Sequence, residues 1–494
     1  MSLSPLAAPL VVVLSALSLA GPSVAAGPSA NPAVALHLAD CRLHAPGAGA
    51  GIAARCGRWS VPEDYAVPAG RRLDLNVAVI PTLGTRRGEP VFVLAGGPGQ
   101  AATSFYAAVA PAFALVARTH DIVLVDQRGT GGSHRLACHF PDDLTLSRTG
   151  LAELEGLSRN CLESLDARPA HYTTSVAVRD LDAVRQALGY ARISLYGASY
   201  GTRVAQHYLR RFPDAVAAVI LDGIVAPTTT VGPGMALDAE RALELAYARC
   251  AAAAACHAAF PDPAADLAAS EQRLAHGPLV LEMADPATGA NRRVEFGARE
   301  LAGSLRLLTY TARTSALIPL LLHAAAAGDF RPIAAQFLIF DRALDDEIAY
   351  GMHNAVLCSE DAPDFGRADR AALAKTFLGT VELDSLAAMC RPWPVGERDA
   401  DLKAALNARV PALLLSGEAD PVTPPAEGEL AARGFQDVRH LVLAGQGHGQ
   451  LGTGCVPELM ATFLSLHSAH ALDTSCVERV RPTPFFVDYA GPAP

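Results

Sequence analysis

Short apolar runs, each closing on glycine or an acidic residue, do most to limit the fold of this chain. They are "VFVLAGGPG" (91–99), "DIVLVDQRG" (121–129), "ISLYGASYG" (193–201), "AAVILDG" (217–223), "PALLLSGEAD" (411–420) and "RHLVLAGQGHG" (439–449). A strand with one wet face alternates apolar and polar residues, whereas these are continuous. Separated by helix-like segments, they predict a mostly parallel central sheet with helices on both faces. In such sheets the chemistry gathers at the carboxyl ends of the strands. The Gly, Ser, Asp and His residues of these runs fall at that end. Upstream, "RRLDLNVAVIPT" alternates and reads as an antiparallel edge strand.

The stretch 226–405 lacks such runs and is rich in Ala and Leu, as in "LDAERALELAYARCAAAAACHAAF". It is read as a mostly helical cap inserted between a first core part, 27–225, and a second, 406–494. Caps above strand ends usually shape a substrate site. Residues 6–20, "LAAPLVVVLSALSLA", are apolar but shorter than a membrane span, and Val24 and Ala26 fit the −3 and −1 positions of signal-peptidase cleavage. Residues 1–26 are therefore expected to be a signal peptide, leaving no membrane segment in a periplasmic or secreted chain.

The formal net charge of −10 disfavours nucleic acid or an anionic membrane surface as partner. The ten cysteines have no Cys-x-x-Cys spacing and no histidine at finger-like distance, so neither metal nor cofactor is expected. In an exported chain an even number reads as disulfides. Pairing neighbours gives Cys41 with Cys56, Cys138 with Cys161, Cys250 with Cys256, Cys358 with Cys390 and Cys455 with Cys476.

Within the third run, Gly197-Ala198-Ser199-Tyr200-Gly201 sets a serine between two glycines where a strand gives way to a helix. In such an elbow the hydroxyl stands clear of strand and helix, and a Cβ two residues to either side would clash. A serine hydroxyl is weakly nucleophilic and needs a base, an acid to orient that base, and oxyanion donors. Asp420 in "SGEADPVTPP" and His448 in "GQGHG" supply the pair, each just past a strand. Asp222 and Glu418 are rival acids; His440 and His353 are rival bases. The order Ser199, Asp420, His448 is that of α/β-hydrolases. The backbone N–H groups of Tyr200, which follows the serine, and of Gly97, in Ala95-Gly96-Gly97-Pro98-Gly99, are the expected oxyanion hole.

The blocks "GGPGQ", "DQRGTGGS", "YGASYGTRVAQHYLRRFP", "ILDG", "SGEADPVTPP" and "GQGHG" resemble, in order, those of the prolyl iminopeptidase-like α/β-hydrolases, in particular their exported tripeptidyl aminopeptidase-type branch. The resemblance spans roughly 41–480 and is weakest in the cap. Ala95 stands where the iminopeptidases carry histidine, which favours the aminopeptidase branch. It implies an α/β-hydrolase fold with an inserted cap, and a serine exopeptidase acting on free peptide N-termini through an acyl-enzyme. A carboxylesterase on the same fold is the alternative, and an inactive binding protein a lesser one. Cap acids bind the substrate amine in the related peptidases, which points to Glu360, and next to it Asp361, in "VLCSEDAP". The competing reading makes both solvated loop acids or a helix cap.

Overall fold

Nine strands form the central sheet. In chain order they are β1 (Ala39–Leu43), β2 (Ile52–Pro62), β3 (Arg72–Ile80), β4 (Val91–Leu94), β5 (Ile122–Val125), β6 (Ile193–Ala198) and β7 (Val216–Asp222), then, after a hairpin β8 (Leu279–Ala284) and β9 (Asn291–Phe296) outside the sheet, β10 (Ala412–Gly417) and β11 (Val438–Leu443). The computed structural model describes residues 36–45, 51–85, 87–141 and 144–492; the expected signal peptide, 1–26, lies outside them.

The spatial order is β1-β2-β3-β5-β4-β6-β7-β10-β11. β5, β4, β6, β7, β10 and β11 are joined by parallel pairings, and β1, β2 and β3 add an antiparallel flank. After β4 the chain turns towards β5, whereas after β6 it turns the other way, towards β7. The neighbouring ends of β4 and β6 therefore form a topological switch point, where loops diverge and leave a crevice. The glycine-rich loop and Ser199 both sit there.

β4, β5 and β7 are buried at every position, which explains their unbroken apolar character. One face of the sheet packs Leu195, Val219 and Leu414 against Val184, Val204 and Tyr208 of the helices Thr174–Ala187 and Tyr200–Arg211. The other packs Val93, Tyr196 and Leu415 against Tyr106, Met460 and Phe463 of the helices Ala102–Val109 and Val456–Leu466. Each fully buried side chain of this size contributes about 1.5–3 kcal/mol.

The expected edge strand is corrected. β3 lies inside the sheet, paired to β2 and β5. β2, "IAARCGRWSVP", has few fully buried positions and carries no clean alternation. It is covered on one face at Ile52, Ala54 and Cys56 and on the other at Trp59 and Val61, so the buried side changes midway and no single period runs through it.

Residues 223–411 separate β7 from β10. They are mostly helical, with a core of their own around Leu243, Phe296, Leu305, Leu322 and Phe330. The β8–β9 hairpin is the part of this insertion that the sequence reading did not foresee. Disulfides join Cys41–Cys56, Cys138–Cys161, Cys250–Cys256, Cys358–Cys390 and Cys455–Cys476. Among the described residues no helix is long and apolar enough to cross a membrane.

Candidate active site

Ser199 stands between β6 and the helix Tyr200–Arg211 with φ 54° and ψ −123°, a conformation that costs a non-glycine residue energy. The surroundings enforce it. A Cβ on Gly197 would fall 2.5 Å from the Gly201 carbonyl oxygen, and one on Gly201 would lie 2.2 Å from that of Leu94. The Ser199 N–H donates to the Asp222 carbonyl at 2.8 Å, fixing the elbow to the end of β7.

Asp420 follows β10 and is fully buried. Its Oδ1 accepts the backbone N–H groups of Val422 and Thr423 at 2.9 and 2.8 Å, and its Oδ2 accepts the Thr423 hydroxyl at 2.9 Å. The same Oδ2 lies 2.8 Å from Nδ1 of His448, which follows β11. Because an ionised carboxylate only accepts, Nδ1 carries the proton and Nε2 is left to act as base. Gly417 lets the acid loop touch the Gly447 carbonyl of the histidine loop, and Gly447 lets that loop touch the Tyr310 carbonyl, with no room for a side chain at either place.

The cap completes the histidine's seat. The His448 N–H donates to the Tyr310 carbonyl at 2.7 Å, and the Tyr310 ring stands edge-on to the imidazole with centroids 5.5 Å apart. Burial opposes the imidazolium, but the charge and hydrogen bond of Asp420, with a contribution from Asp222, outweigh it. The His448 pKa is raised above the ordinary histidine value. The imidazole also lies against Gly223, where a Cβ would come 2.8 Å from Cε1. Ser199 and His448 thus flank the same end of β7. Among the described residues no hydrogen bond joins Ser199 Oγ to Nε2, a looseness common in unliganded sites.

The glycine-rich loop faces the serine across the switch point: a Cβ on Gly96 would lie 3.0 Å from that of Ser199. Gly97 is exposed and has φ 100°, which favours glycine. Neither the Gly97 nor the Tyr200 N–H donates to a backbone carbonyl of another element among the described residues. Both remain able to meet an oxyanion.

The "DQRGTGGS" block ties together the segments around the switch point. Asp126 accepts from the Thr103 and Gly132 N–H groups and from the Asn76 side chain. Gln127 donates to the Tyr200 hydroxyl at 3.0 Å, and Arg128, fully buried, pairs with Asp180 at 2.6 Å.

Glu360 and Asp361 require a correction. Both are fully buried, and their oxygens are taken by the chain itself. Arg203 reaches Asp361 at 2.7 and 3.0 Å and Glu360 at 3.3 Å. Glu360 also accepts from the Thr174 N–H at 2.7 Å and its hydroxyl at 3.0 Å, and Asp361 from the Val231 N–H at 2.9 Å. A carboxylate with its lone pairs occupied by a buried guanidinium does not await a substrate's ammonium group.

The rivals stand elsewhere. Glu418 accepts from Gly445 N–H, and His440 bonds Ser416 inside the sheet. His353 bonds Pro98 from the cap. Asp222 is near the site but engaged: Tyr196 donates to Oδ2 at 2.8 Å and Gln450 N–H to Oδ1 at 2.7 Å. Burial pushes its carboxyl up to about 6 against those bonds. Sequence reading passed over Thr423, whose place three residues after an aspartate is a turn signal. It also passed over Tyr310 and Arg241, which donates to the Asp420 carbonyl at 2.8 Å; nothing in a helical cap sequence marks these two.

Comparisons with known proteins match both halves of the core. Residues 89–276 match the family described as alpha/beta hydrolase fold, and residues 375–476 the family described as TAP-like protein. The chain is 33% identical over 192 residues to tripeptidyl aminopeptidase of Streptomyces lividans, covering 35% of this chain and 36% of that protein. It is 34% identical over 192 residues to serine protease Hip1 of Mycobacterium tuberculosis, with the same shares. To carboxylesterase B of Mycobacterium tuberculosis it is 31% identical over 194 residues, covering 36% of this chain and 37% of that protein. The matches span about a third of the length of these relatives. With the sheet order, the elbow and the buried acid–histidine pair, they show that the chain has the α/β-hydrolase fold and that its residues 375–476 are similar to TAP-like protein.

Proposed function

We propose that this protein is an exported serine aminopeptidase that releases one or a few residues from peptide N-termini through an acyl-enzyme. The observation that carries the reading is the approach of His448 Nδ1 to Asp420 Oδ2 at 2.8 Å beside a strained Ser199. In the proposed reaction Ser199 Oγ attacks the scissile carbonyl while His448 Nε2 takes its proton. The Gly97 and Tyr200 N–H groups hold the oxyanion as the tetrahedral species forms. His448 then protonates the departing amine, and water repeats the sequence on the acyl-enzyme. The disulfides support an oxidising compartment and hence export. The relatives named tripeptidyl aminopeptidase and serine protease favour peptides as substrates.

A carboxylesterase is the second reading, favoured by the likeness to carboxylesterase B and by a site that serves esters equally well. A panel of chromogenic arylamides of one to three residues, with free or blocked amino ends, beside a short-chain nitrophenyl ester, separates the two. The aminopeptidase reading requires faster turnover of free-amine arylamides than of their blocked forms. Turnover of the ester alone would establish the esterase.

A further inference from the structure

The cap reaches the catalytic loops at two places, and one helix, Tyr350–Glu360, serves both. At its start, His353 Nδ1 lies 3.1 Å from the Pro98 carbonyl oxygen, in the loop that carries Gly97. A carbonyl only accepts, so Nδ1 carries the proton and donates. Just before the helix, the Ala349 N–H donates to the Gly99 carbonyl at 3.0 Å, and Gln100 donates to Glu347 at 2.7 Å. The loop is held along its length from the cap side.

At the other end, Glu360 accepts the Thr174 hydroxyl at 3.0 Å. That hydroxyl oxygen is 2.7 Å from the Tyr200 phenol, which therefore donates to it. Gln127 donates to the same phenol at 3.0 Å. Arg203, one turn beyond Tyr200 on its helix, reaches Glu360 at 3.3 Å and closes the ring Tyr200, Thr174, Glu360, Arg203. Tyr200 supplies the other expected oxyanion N–H. His353 and Glu360 are seven residues apart, two turns, so they share one face of the helix about 10 Å apart along its axis.

We propose that the helix Tyr350–Glu360 positions both halves of the oxyanion hole, His353 through Pro98 for the Gly97 loop and Glu360 through Thr174 for Tyr200. Mere burial of a cap helix needs apolar contact along its length. It does not need hydrogen bonds aimed at the two separate segments that bear the donors. The acids expected to bind a substrate amine thus act on the reaction from behind the site. The proposal rests on the serine hydrolase reading but not on peptides as substrates, so an ester tests it.

The test compares His353→Asn, whose amide nitrogen can replace Nδ1, with His353→Gln, whose amide nitrogen falls nearer Nε2, alongside Glu360→Gln. Each is assayed on a short-chain nitrophenyl ester and a free-amine arylamide, and for inhibition by an aryl boronic acid that forms a tetrahedral adduct on serine. His353→Gln and Glu360→Gln should lower kcat about 10- to 100-fold on both substrates, as a small misplacement of donors does, with KM nearly unchanged. Boronate affinity should fall in parallel, and His353→Asn should stay within a few-fold of the natural protein. An unchanged kcat and boronate affinity in His353→Gln would overturn the proposal, as would equal damage in Asn and Gln or a loss confined to KM for free-amine substrates. If Glu360→Gln does not fold, the two His353 variants alone decide. A natural protein inert to ester, arylamide and boronate would overturn the hydrolase reading itself, and the proposal with it.

Discussion

Asp222 holds the histidine loop from below: its Oδ1 accepts the Gln450 N–H at 2.7 Å, two residues past His448. Its charge also helps to raise the His448 pKa, after the larger effects of burial, which lowers it, and of Asp420. A general base works only when neutral. We therefore expect kcat/KM to rise with pH through a value above that of an ordinary histidine, about 6.5. Replacing Asp222 by Asn removes a negative charge and should move this acid limb to lower pH by a fraction of a unit. The Tyr196 hydroxyl, which donates to Asp222 Oδ2, can turn to accept the new amide N–H. A pH–rate profile checks the direction, and an upward shift in the variant would contradict it.

Removing Ser199, His448 or Asp420 should each lower turnover by about 10⁴ or more, and the double variants should cost little beyond the single ones, because the three act as a unit. Fluorophosphonate labelling gives a second readout. Ser199→Ala labelled at the natural rate would place the nucleophile elsewhere.

How far the sequence could be read follows from what each signal depends on. Five of the six parallel strands, β4, β5, β6, β7 and β10, lie inside the sheet and are buried on both faces, so their apolar runs are continuous and legible without context; β11, at the edge with Val442 exposed, keeps enough of its run to be read. The elbow, Asp420 and His448 sit at the ends of those strands, flanked by glycines that local crowding demands: Gly197, Gly201, Gly417 and Gly447 each have a carbonyl oxygen where a Cβ would go. Chemistry of that kind leaves a mark in the chain. β2 left none, because its buried side changes between Cys56 and Gly57 and breaks the alternation. Glu360 and Asp361 were misread for a related reason. An acidic pair in a cap looks the same in sequence whether it faces a substrate or Arg203, 157 residues away from Glu360. The ring through Thr174 likewise joins residues distant along the chain, and no local pattern announces it.

Gly201 offers a direct check on the elbow. A methyl group there would sit 2.2 Å from the Leu94 carbonyl oxygen, on the strand that feeds the Gly97 loop. Backbone cannot yield as a flexible side chain can. Gly201→Ala should destabilise the fold by about 1–3 kcal/mol, the usual cost of overpacking, and should nearly abolish turnover by parting β4 from β6. Denaturant titration and steady-state kinetics measure the two effects. Full activity with unchanged stability would mean that strand and helix are less tightly apposed than this geometry requires.

The disulfides give a prediction independent of catalysis. Peptide mapping without reductant should recover the five linkages, including Cys358–Cys390, which ties the helix Tyr350–Glu360 to the helix Val381–Cys390. Loss of a native disulfide typically costs about 2–5 kcal/mol, so reduction should lower the midpoint of unfolding. Free thiols in protein recovered from the periplasm would contradict both the linkages and the export reading.

Arg203 gives the clearest separation between a brace and a binding site. Its guanidinium is fully buried between Glu360 and Asp361. Burial raises the Glu360 pKa, Arg203 pulls it down, and the balance leaves it above the ordinary glutamate value. A carboxyl raised in the folded state lends stability below its unfolded pKa, and that stability is lost as pH rises through the folded value. Replacing Arg203 by Met removes the cation that pulls the buried Glu360 carboxyl down, and so raises its folded value further. The variant should lose about 3–5 kcal/mol at neutral pH, the cost of breaking a buried ion pair, and should recover part of it as pH falls towards the unfolded carboxylate range near 4. Denaturant titrations of Arg203→Met at neutral and mildly acidic pH, against the natural protein, read this directly. A brace predicts that the gap in stability narrows on acidification. Acids open to solvent and awaiting an amine predict a small gap that does not depend on pH, and that result would return Glu360 and Asp361 to the substrate site.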